Sequence, residues 1–365
     1  MPSYRVFATC NIGDQALQKL RDQGYEVEVF GEVEAPPKAL ILEKVRSGID
    51  ALITTLRDPI DADVLEAGEG TLKVVAQDAV GVDNIDQEVA GRLGIPVTNT
   101  ADVLTEATAE FAFFMMGSVA RKLWPSERLV RENQWTGWHP SHPFLGDELA
   151  GKTVAVIGTG RIGKAFARRC LGAGVDILLH NRTPDEAFAD ALQAALDVQH
   201  EHGLTSRRHT ARYVSLEDAL READFVSLHV PLTDQTQGLI DAAALEQMKE
   251  TAYLINTARG PVVDETALVQ ALKEKKIAGA ALDVFLAEPL PADSPLRDDA
   301  LADRVRLFHH FGSGTKETRL APDPDVGMAG RCVQGVLDVL EDRYGGDPSQ
   351  MPFVVNKEAF AETAS

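Results

Sequence analysis

Short apolar runs alternate with longer amphipathic stretches along the first hundred residues. Runs of this length predict β-strands, whereas the stretches between them carry the spacing of surface helices. A regular alternation of strands and helices is typical of a doubly wound parallel sheet with helices on both faces, an α/β fold. The predicted strands are 4–9, 25–30, 50–54 and 72–76, and the predicted helices are 14–23 and 38–46.

A second series of the same kind starts near residue 104 with a long apolar helix, predicted over 104–123. Apolar runs that predict strands follow at 154–157, 175–179, 224–230, 252–257 and 279–284, and a helix is predicted over 328–343. Two α/β series in one chain of 365 residues predict two Rossmann-like domains.

A glycine cluster joins the strand 154–157 to the helix that follows it. Gly158 permits a tight turn, Gly160 lets a pyrophosphate approach the backbone, and Gly163 lets the helix pack on the strand. The N-terminus of the helix then offers free N–H groups and a positive dipole to the phosphates. This strand–turn–helix–strand context predicts a dinucleotide-binding site.

The end of the second strand of this unit lacks the expected carboxylate. An NAD site places Asp or Glu there, where it accepts from the ribose hydroxyls. This chain has Asn181, Arg182 and Thr183 instead. Arginine can pair with a 2′-phosphate and threonine can donate to it, so the sequence predicts that NADP(H) is preferred and that NAD(H) is possible.

About thirty residues, 183–214, separate this second strand from the next predicted element. One interpretation is an exposed helical hairpin with solvated charges. The other is that Arg207, Arg208 or Arg212 reaches an anionic group of the cofactor.

The formal net charge of −20 argues against nucleic acid or an anionic membrane as a partner. The apolar stretch at 111–120 is too short to span a bilayer, and the first residues lack the pattern of a signal peptide. The three cysteines are widely spaced and show no zinc-binding pattern, so no metal is predicted. These features predict a cytoplasmic protein with free thiols.

Seven motifs occur in a fixed order that resembles the D-isomer-specific 2-hydroxyacid dehydrogenase family, over roughly residues 50–345. They are AVGVDNID (79–86), TEATAE (105–110), VIGTGRIG (156–163), SLHVPLT (227–233), INTARG (255–260), GAALDVFLAEP (279–289) and HFGSGT (310–315). The stretch WHPSHPFLGDELAGKT (138–153) most resembles the glyoxylate/hydroxypyruvate reductases of that family.

The resemblance implies two Rossmann-like domains with the active site in the cleft between them. It implies a substrate-binding domain at 1–103, completed by 318–365, and a dinucleotide-binding domain at 104–317. A homodimer formed through the dinucleotide-binding domain is also expected.

The resemblance assigns three catalytic residues for the reduction of a 2-keto acid. His310 is the proton donor, Glu288 orients its imidazole, and Arg259 grips the substrate carboxylate. The N–H groups of Val80 and Gly81 are expected to hold the other carboxylate oxygen. The chain departs from the family at His309, where proline is usual; if the segment is extended, His309 points away from His310.

Most of the remaining site residues also come from the resemblance, whereas Leu56 is chosen because it follows a predicted strand end, and residues 181–183 for the reasons given above. Leu56 and Trp138 are expected to shape the substrate pocket, Trp138 by reaching the active site of a neighbouring subunit; the alternative is packing of Trp138 in the core or a dimer interface. The expected cofactor contacts are Gly158, Gly160, Arg161, Ile162 and Gly163 at the pyrophosphate, Asn181, Arg182, Thr183, His229, Val230 and Pro231 at the adenosine side, and Thr108, Thr257, Ala258, Asp283 and Gly312 at the nicotinamide end.

The resulting hypothesis is NADPH-dependent reduction of a small 2-keto acid, of the glyoxylate or hydroxypyruvate type, to the D-2-hydroxy acid. Two alternatives stay open at this point. One is an enzyme like D-3-phosphoglycerate dehydrogenase, and the other is a dinucleotide-sensing binding protein like the co-repressors of the same family.

Overall fold

The strands form two parallel sheets in the computed structural model, which describes residues 3–141 and 145–361. The chain divides into two compact units, Met1–Leu104 with Gly314–Ser365, and Thr105–Ser313. Each unit has its own sheet and its own covering helices, so the predicted α/β class with two Rossmann-like folds is confirmed.

The sheet of the first unit has five strands in the order β2-β1-β3-β4-β5. Neighbouring strands pair in parallel, and the strand order reverses at β1. The strands are β1 (Arg5–Ala8), β2 (Glu26–Val29), β3 (Ala51–Thr54), β4 (Val74–Gln77) and β5 (Val97–Thr98).

The sheet of the second unit has seven strands in the order β12-β11-β10-β9-β6-β7-β8, again paired in parallel. The order reverses at β6, and ligands of doubly wound sheets bind outside the carboxyl ends of the strands at such a reversal. The strands are β6 (Thr153–Ile157), β7 (Asp176–His180), β8 (Ala211–Tyr213), β9 (Phe225–Leu228), β10 (Tyr253–Asn256), β11 (Gly279–Leu282) and β12 (Val305–Leu307).

The helices include one break that the sequence pattern did not predict. The apolar helix predicted over 104–123 ends at Ala120, and Lys122 adopts a left-handed φ of 53° before a second helix begins. The helices are α1 (Asp14–Asp22), α2 (Lys38–Arg46), α3 (Ala62–Glu66), α4 (Gln87–Arg92), α5 (Thr105–Ala120), α6 (Leu123–Arg131), α7 (Arg161–Cys170), α8 (Glu186–Glu201), α9 (Leu216–Glu222), α10 (Ala242–Gln247), α11 (Glu265–Lys273), α12 (Lys316–Leu320), α13 (Met328–Leu340) and α14 (Glu358–Ala361).

Each face of the second sheet has its own apolar core. Val154 and Val156 of β6 pack with residues of α5, α7 and α8, whereas Ala155 and Ile157 pack with residues of α9, α10 and α11. Successive strand side chains point to opposite faces, so a strand covered on both sides must be apolar throughout. This is why β6 appears in the sequence as an uninterrupted apolar run.

The hairpin predicted for residues 183–214 is wrong. The segment forms one helix, α8, and then the short edge strand β8, which pairs in parallel with β7. Its arginines form ion pairs with neighbouring carboxylates: Arg207 with Asp176, Arg208 with Asp197, and Arg212 with Glu222. Asp176 is the first residue of β7, so Arg207 lies at the amino edge of the sheet, opposite the edge at which the glycine turn lies.

No helix within residues 3–141 and 145–361 combines the length and the apolar character needed to cross a membrane.

Candidate active site

The glycine turn after β6 has the three properties that the motif requires. Gly158 adopts a φ of 95°, and a Cβ there would lie 2.8 Å from the carbonyl carbon of His229. A Cβ on Gly163 would lie 1.9 Å from the carbonyl oxygen of Gly158, so only glycine lets α7 pack this closely. A Cβ on Gly160 would meet nothing within 4 Å, which leaves the backbone open to an approaching ligand.

The N-terminus of α7 begins directly after this turn, at Arg161 and Ile162. Gly160 precedes the helix without a capping side chain, and the first turn contains no acidic residue. The first N–H groups of such a helix lack intrahelical acceptors and carry the positive end of the helix dipole. This donor set fits the pyrophosphate of a dinucleotide.

The carboxyl end of β7 lies beside the glycine turn, because Gly158 N–H donates to the carbonyl oxygen of His180 at 2.8 Å. Asn181, Arg182 and Thr183 follow immediately. The Asn181 amide donates to the carbonyl oxygen of Thr183 at 2.8 Å, and the exposed Arg182 donates from Nη1 to Gln235 Oε1 at 2.8 Å. Residues 181–183 therefore present a guanidinium, an amide and a hydroxyl, without a carboxylate, at the predicted ribose position.

His229 lies under the turn, at the end of β9. Burial lowers the pKa of its imidazole to about 3, so the ring is neutral at physiological pH. Its Nε2 lies 2.9 Å from Ser227 Oγ, and its Nδ1 is buried without a hydrogen-bond partner among the described residues. Val230 contacts the Gly158 position, and the carbonyl oxygen of Pro231 accepts from Thr236 at 2.6 Å.

His310 and Glu288 form a hydrogen-bonded pair. The distance from His310 Nδ1 to Glu288 Oε2 is 2.7 Å, and Glu288 Oε1 accepts from the N–H of Phe285 at 3.0 Å. Burial alone would raise the pKa of Glu288, but the bond from His310, the N–H of Phe285 and the nearby charge of Arg259 hold it below its usual value. An ionised carboxylate can only accept, so it fixes the Nδ1–H form of the imidazole.

Asp283 holds the turn that carries His310. Its carbonyl oxygen accepts from His310 N–H at 2.9 Å, and its carboxylate oxygens accept from Phe311 and Gly312 N–H at 2.7 and 2.8 Å. Burial raises the pKa of Asp283, although these two N–H groups and the charge of His310 oppose the rise. The backbone of His310 is left-handed, with a φ of 54°. The chain is therefore not extended here, and the expectation that His309 points away because of an extended segment is wrong. The neighbouring His309 is exposed and stacks on Phe311.

Arg259 follows β10, and the next residue, Gly260, contacts the backbone of Phe285 shortly before Glu288. A Cβ on Gly260 would lie 1.9 Å from the carbonyl carbon and oxygen of Phe285, so the two chain segments are in direct contact. Arg259 Nη1 donates to the carbonyl oxygen of Ala258 at 2.8 Å, and Asn256 Nδ2 donates to the carbonyl oxygen of Arg259 at 3.0 Å. The three predicted catalytic residues thus come from loops of one unit.

Three of the residues predicted at the nicotinamide end, Thr108, Asp283 and Gly312, lie close together in the second unit. A Cβ on Gly312 would lie 3.2 Å from both Asp283 Oδ2 and Thr108 Cγ2. Ala258 N–H donates to Asn256 Oδ1 at 3.0 Å, whereas the buried Thr257 hydroxyl has no hydrogen-bond partner among the described residues. Buried hydroxyls are normally hydrogen-bonded, so Thr257 fits the polar end of a bound nicotinamide.

In the first unit, Leu56, Val80 and Gly81 lie in the loops after β3 and β4. Asn84, which sequence reasoning did not select, ties these loops together: its Nδ2 donates to the carbonyl oxygens of Thr55 at 3.0 Å and Asp58 at 2.8 Å. Gln77 Nε2 in turn donates to Asn84 Oδ1 at 2.7 Å and to the carbonyl oxygen of Gly81 at 3.1 Å. The motif AVGVDNID contained Asn84, but nothing local indicated which loops it would join.

Trp138 is 85% exposed, so packing of this side chain in the core is wrong. Residues 142–144 of the motif at 138–153 lie outside the described residues.

Replacing Glu288 with Gln is expected to lower kcat/KM for keto-acid reduction and to remove the acid-side decline that protonation of Glu288 causes in the wild type. A neutral amide accepts more weakly than a carboxylate from the Nδ1–H of His310, and it does not titrate. In the wild type the depressed pKa of Glu288 keeps its carboxylate ionised well below neutrality, and the charged contact is lost only as the pH falls through that value. Profiles of kcat/KM against pH measure the change.

Glu265→Gln is the matched control, because Glu265 accepts from Leu286 N–H nearby. A Glu288→Gln profile that coincides with those of the control and the wild type would contradict the proposed pairing.

The chain is similar to known dehydrogenases over most of its length. Residues 113–312 match the family model described as "D-isomer specific 2-hydroxyacid dehydrogenase, NAD binding domain". The chain is 45% identical to the glyoxylate reductase of Thermococcus kodakarensis over 97% of this chain and 96% of that protein. It is also 45% identical to the glyoxylate reductase of Korarchaeum cryptofilum over 86% of this chain and 88% of that protein. A solved structure from Thermus thermophilus has a TM-score of 0.79 and 40% identity, covering 93% of this chain and 97% of that one.

Proposed function

The chain belongs to the D-isomer specific 2-hydroxyacid dehydrogenase family, and from this premise we propose that it reduces glyoxylate or hydroxypyruvate to the D-2-hydroxy acid with NADPH. The observation that carries the proposal is the His310–Glu288 hydrogen bond, which lies in the same unit as Arg259 and the glycine turn. The similarity to glyoxylate reductases over nearly the whole chain supports the substrate class.

A nicotinamide cofactor supplies the hydride when bound, and the residues of the chain supply the remaining chemistry. His310 donates a proton from Nε2 to the keto oxygen, while Glu288 accepts from Nδ1 and stabilises the imidazolium. Arg259 binds the substrate carboxylate with its planar fork and polarises the carbonyl. The N–H groups of Val80 and Gly81 take part in holding the carboxylate, and Leu56 limits the size of the substrate.

The preference for NADPH follows from the residues after β7. Arg182 pairs with the 2′-phosphate, Thr183 donates to it, and Asn181 adds no negative charge that would repel it. The hydrogen bond between Arg182 and Gln235 supports this role, because it restricts a long side chain before the ligand arrives.

A matrix of 2-keto acids against NADPH and NADH tests the proposal by the decay of nicotinamide absorbance. We expect the highest kcat/KM with glyoxylate or hydroxypyruvate and NADPH. Preferential oxidation of D-3-phosphoglycerate with NAD would favour the phosphoglycerate dehydrogenase alternative. Tight cofactor binding without turnover of any keto acid would favour a dinucleotide-sensing protein.

We also propose a homodimer formed through exposed apolar side chains of the second unit. They lie on α5, on α6 and in the segment after α6: Phe114, Leu123, Trp124, Val130, Trp135, Trp138 and Leu145. Exposed apolar side chains of this kind are typical of protein–protein contacts. In this assembly Trp138 approaches the active site of the neighbouring subunit. A cytoplasmic location is proposed from the free cysteines alone.

Sedimentation equilibrium is expected to give twice the chain mass of 39.5 kDa for the wild type. Trp124→Asp should shift the protein toward the monomer, because it places a charge in the apolar contact. Val33→Asp, at an 86% exposed position of the first unit, is the control. A monomeric wild type, or equal masses for both variants, would contradict the proposed interface.

A further inference from the structure

A cavity of about 570 Å³ lies at the amino edge of the second sheet. It is open to solvent and is lined by Gly151 before β6, by the turn that contains Gly174 before β7, and by the loop between α8 and β8. The glycine turn of the predicted cofactor site lies at the opposite, carboxyl edge. The volume falls within the range of about 300–1,000 Å³ that is typical of small-molecule pockets.

The lining of the cavity differs in charge from the rest of the chain. The chain has 56 acidic and 36 basic residues, yet none of the described residues that line the cavity is Asp or Glu. The polar side chains of the lining are those of Gln199, Thr205, Ser206, Arg207 and His209. Asp176 pairs with Arg207 but is not itself a lining residue. In a chain with a net charge of −20, the lining therefore presents a guanidinium and hydroxyl groups, and no carboxylate of the described lining faces an entering anion.

Arg207 is held in place before any ligand binds. Its Nη2 donates to the carbonyl oxygen of Gly151 at 3.2 Å and to Asp176 Oδ2 at 2.7 Å. Burial alone would raise the pKa of Asp176, but the bonds from Arg207 and from the N–H of Thr210 lower it, so the carboxylate stays ionised as an anchor. Both bonds of Arg207 use Nη2, so its other N–H groups make no hydrogen bond to the described residues and are available to a ligand.

Two buried polar atoms at the cavity lack hydrogen bonds to the described residues. One is the hydroxyl of Thr205, and the other is Nδ1 of His209, a residue that is only 4% exposed. His209 Nδ1 lies 3.5 Å from Asp176 Oδ1. A buried polar atom without a partner destabilises the fold, and a hydrogen-bonding ligand removes that cost. Both atoms belong to the segment that lengthens the connection between β7 and β9.

We infer that this cavity is a second binding site, for a small organic anion whose carboxylate or phosphate group contacts Arg207 and the Thr205 hydroxyl. Arg207 supplies the charge, Thr205 donates a hydrogen bond, and the backbone around Gly174 lets the ligand approach closely. The residues between α8 and β8 therefore form a ligand site that is separate from the cofactor site. The inference does not depend on the proposed redox reaction.

Isothermal titration calorimetry with inorganic phosphate, L-malate and 3-phosphoglycerate tests the inference. The titrations use the full chain with Arg259→Gln, which removes the predicted carboxylate clamp of the active site and its contribution to the heat. We expect at least one probe to bind, and Arg207→Gln and Thr205→Val each to weaken that binding at least about tenfold. The phosphate and malate arms separate phosphate from carboxylate recognition.

Arg208→Gln is the matched control, because Arg208 pairs with Asp197 and does not line the cavity. It should leave the affinity unchanged. Thr205→Val preserves the Arg207–Asp176 ion pair, so it decides the outcome if Arg207→Gln fails to fold. Absence of binding for all three probes, or equal affinities in Thr205→Val and Arg208→Gln, would overturn the inference.

Discussion

Replacing His310 with Ala is expected to lower kcat for keto-acid reduction about 10³-fold, within the range of about 10²–10⁴ for loss of a positioned general acid. In the proposed mechanism the keto oxygen gains negative charge during reduction, and a proton from His310 would neutralise it. The proposed binding of the substrate carboxylate by Arg259 does not need the imidazole, so KM should change much less than kcat. Initial rates over a range of keto-acid concentrations give kcat and KM separately, and fluorescence titrations give the affinity for NADPH.

A second variant, His310→Asn, is needed because the backbone of His310 is left-handed. A φ of 54° is unfavourable for alanine but is well tolerated by asparagine, so His310→Asn removes the imidazole without new backbone strain. Both variants should lose turnover and bind NADPH with an affinity within about twofold of the wild type. His309→Ala is the neighbouring control, since His309 is exposed and stacks on Phe311. Turnover lost in His309→Ala and kept in His310→Asn would reverse the assignment.

The glycine turn was predictable from the sequence because most of its requirements are local. Gly158 adopts a φ of 95°, and Gly163 packs against the carbonyl oxygen of Gly158, five residues away, whereas the contact with His229 comes from a distant part of the chain. The same holds for the buried strands of both sheets, whose side chains are apolar on both faces. Local rules therefore predicted the α/β class.

Strand β8 was not predicted from the sequence, because it lies at the edge of its sheet. It has only three residues, Ala211–Tyr213, and pairs with β7 alone. Arg212 in its centre is exposed, so the strand shows no apolar run. Without that strand, the charged residues around it suggested a solvated hairpin.

The contacts that hold the candidate catalytic residues in position join residues that are distant in sequence. Asp283 accepts from the N–H groups of Phe311 and Gly312, 28 and 29 residues away, and this contact gives His310 its left-handed turn. Gly260 must be glycine because Phe285 packs against it. Motif similarity could identify His310, but the turn that presents it follows only from tertiary packing.

Replacing Arg182 with Ala is expected to raise KM for NADPH about 10- to 100-fold and to leave KM for NADH nearly unchanged. The magnitude follows from the loss of one charge-assisted hydrogen bond to the 2′-phosphate, worth about 1.5–3 kcal/mol. Because NADH lacks this phosphate, its binding does not include that contact. Arg212→Ala is the control, since Arg212 lies in the same unit and pairs with Glu222.

The reciprocal variant Asn181→Asp places a carboxylate at the end of β7, where it can accept from both ribose hydroxyls and repel a 2′-phosphate. Its kcat/KM should fall with NADPH and rise with NADH, and combination with Arg182→Ala should reverse the cofactor preference. Equal losses with both cofactors in Arg182→Ala would mean that Arg182 supports the fold through Gln235. A wild type that uses NADH as well as NADPH would show that the absence of a carboxylate at residue 181 does not set the preference.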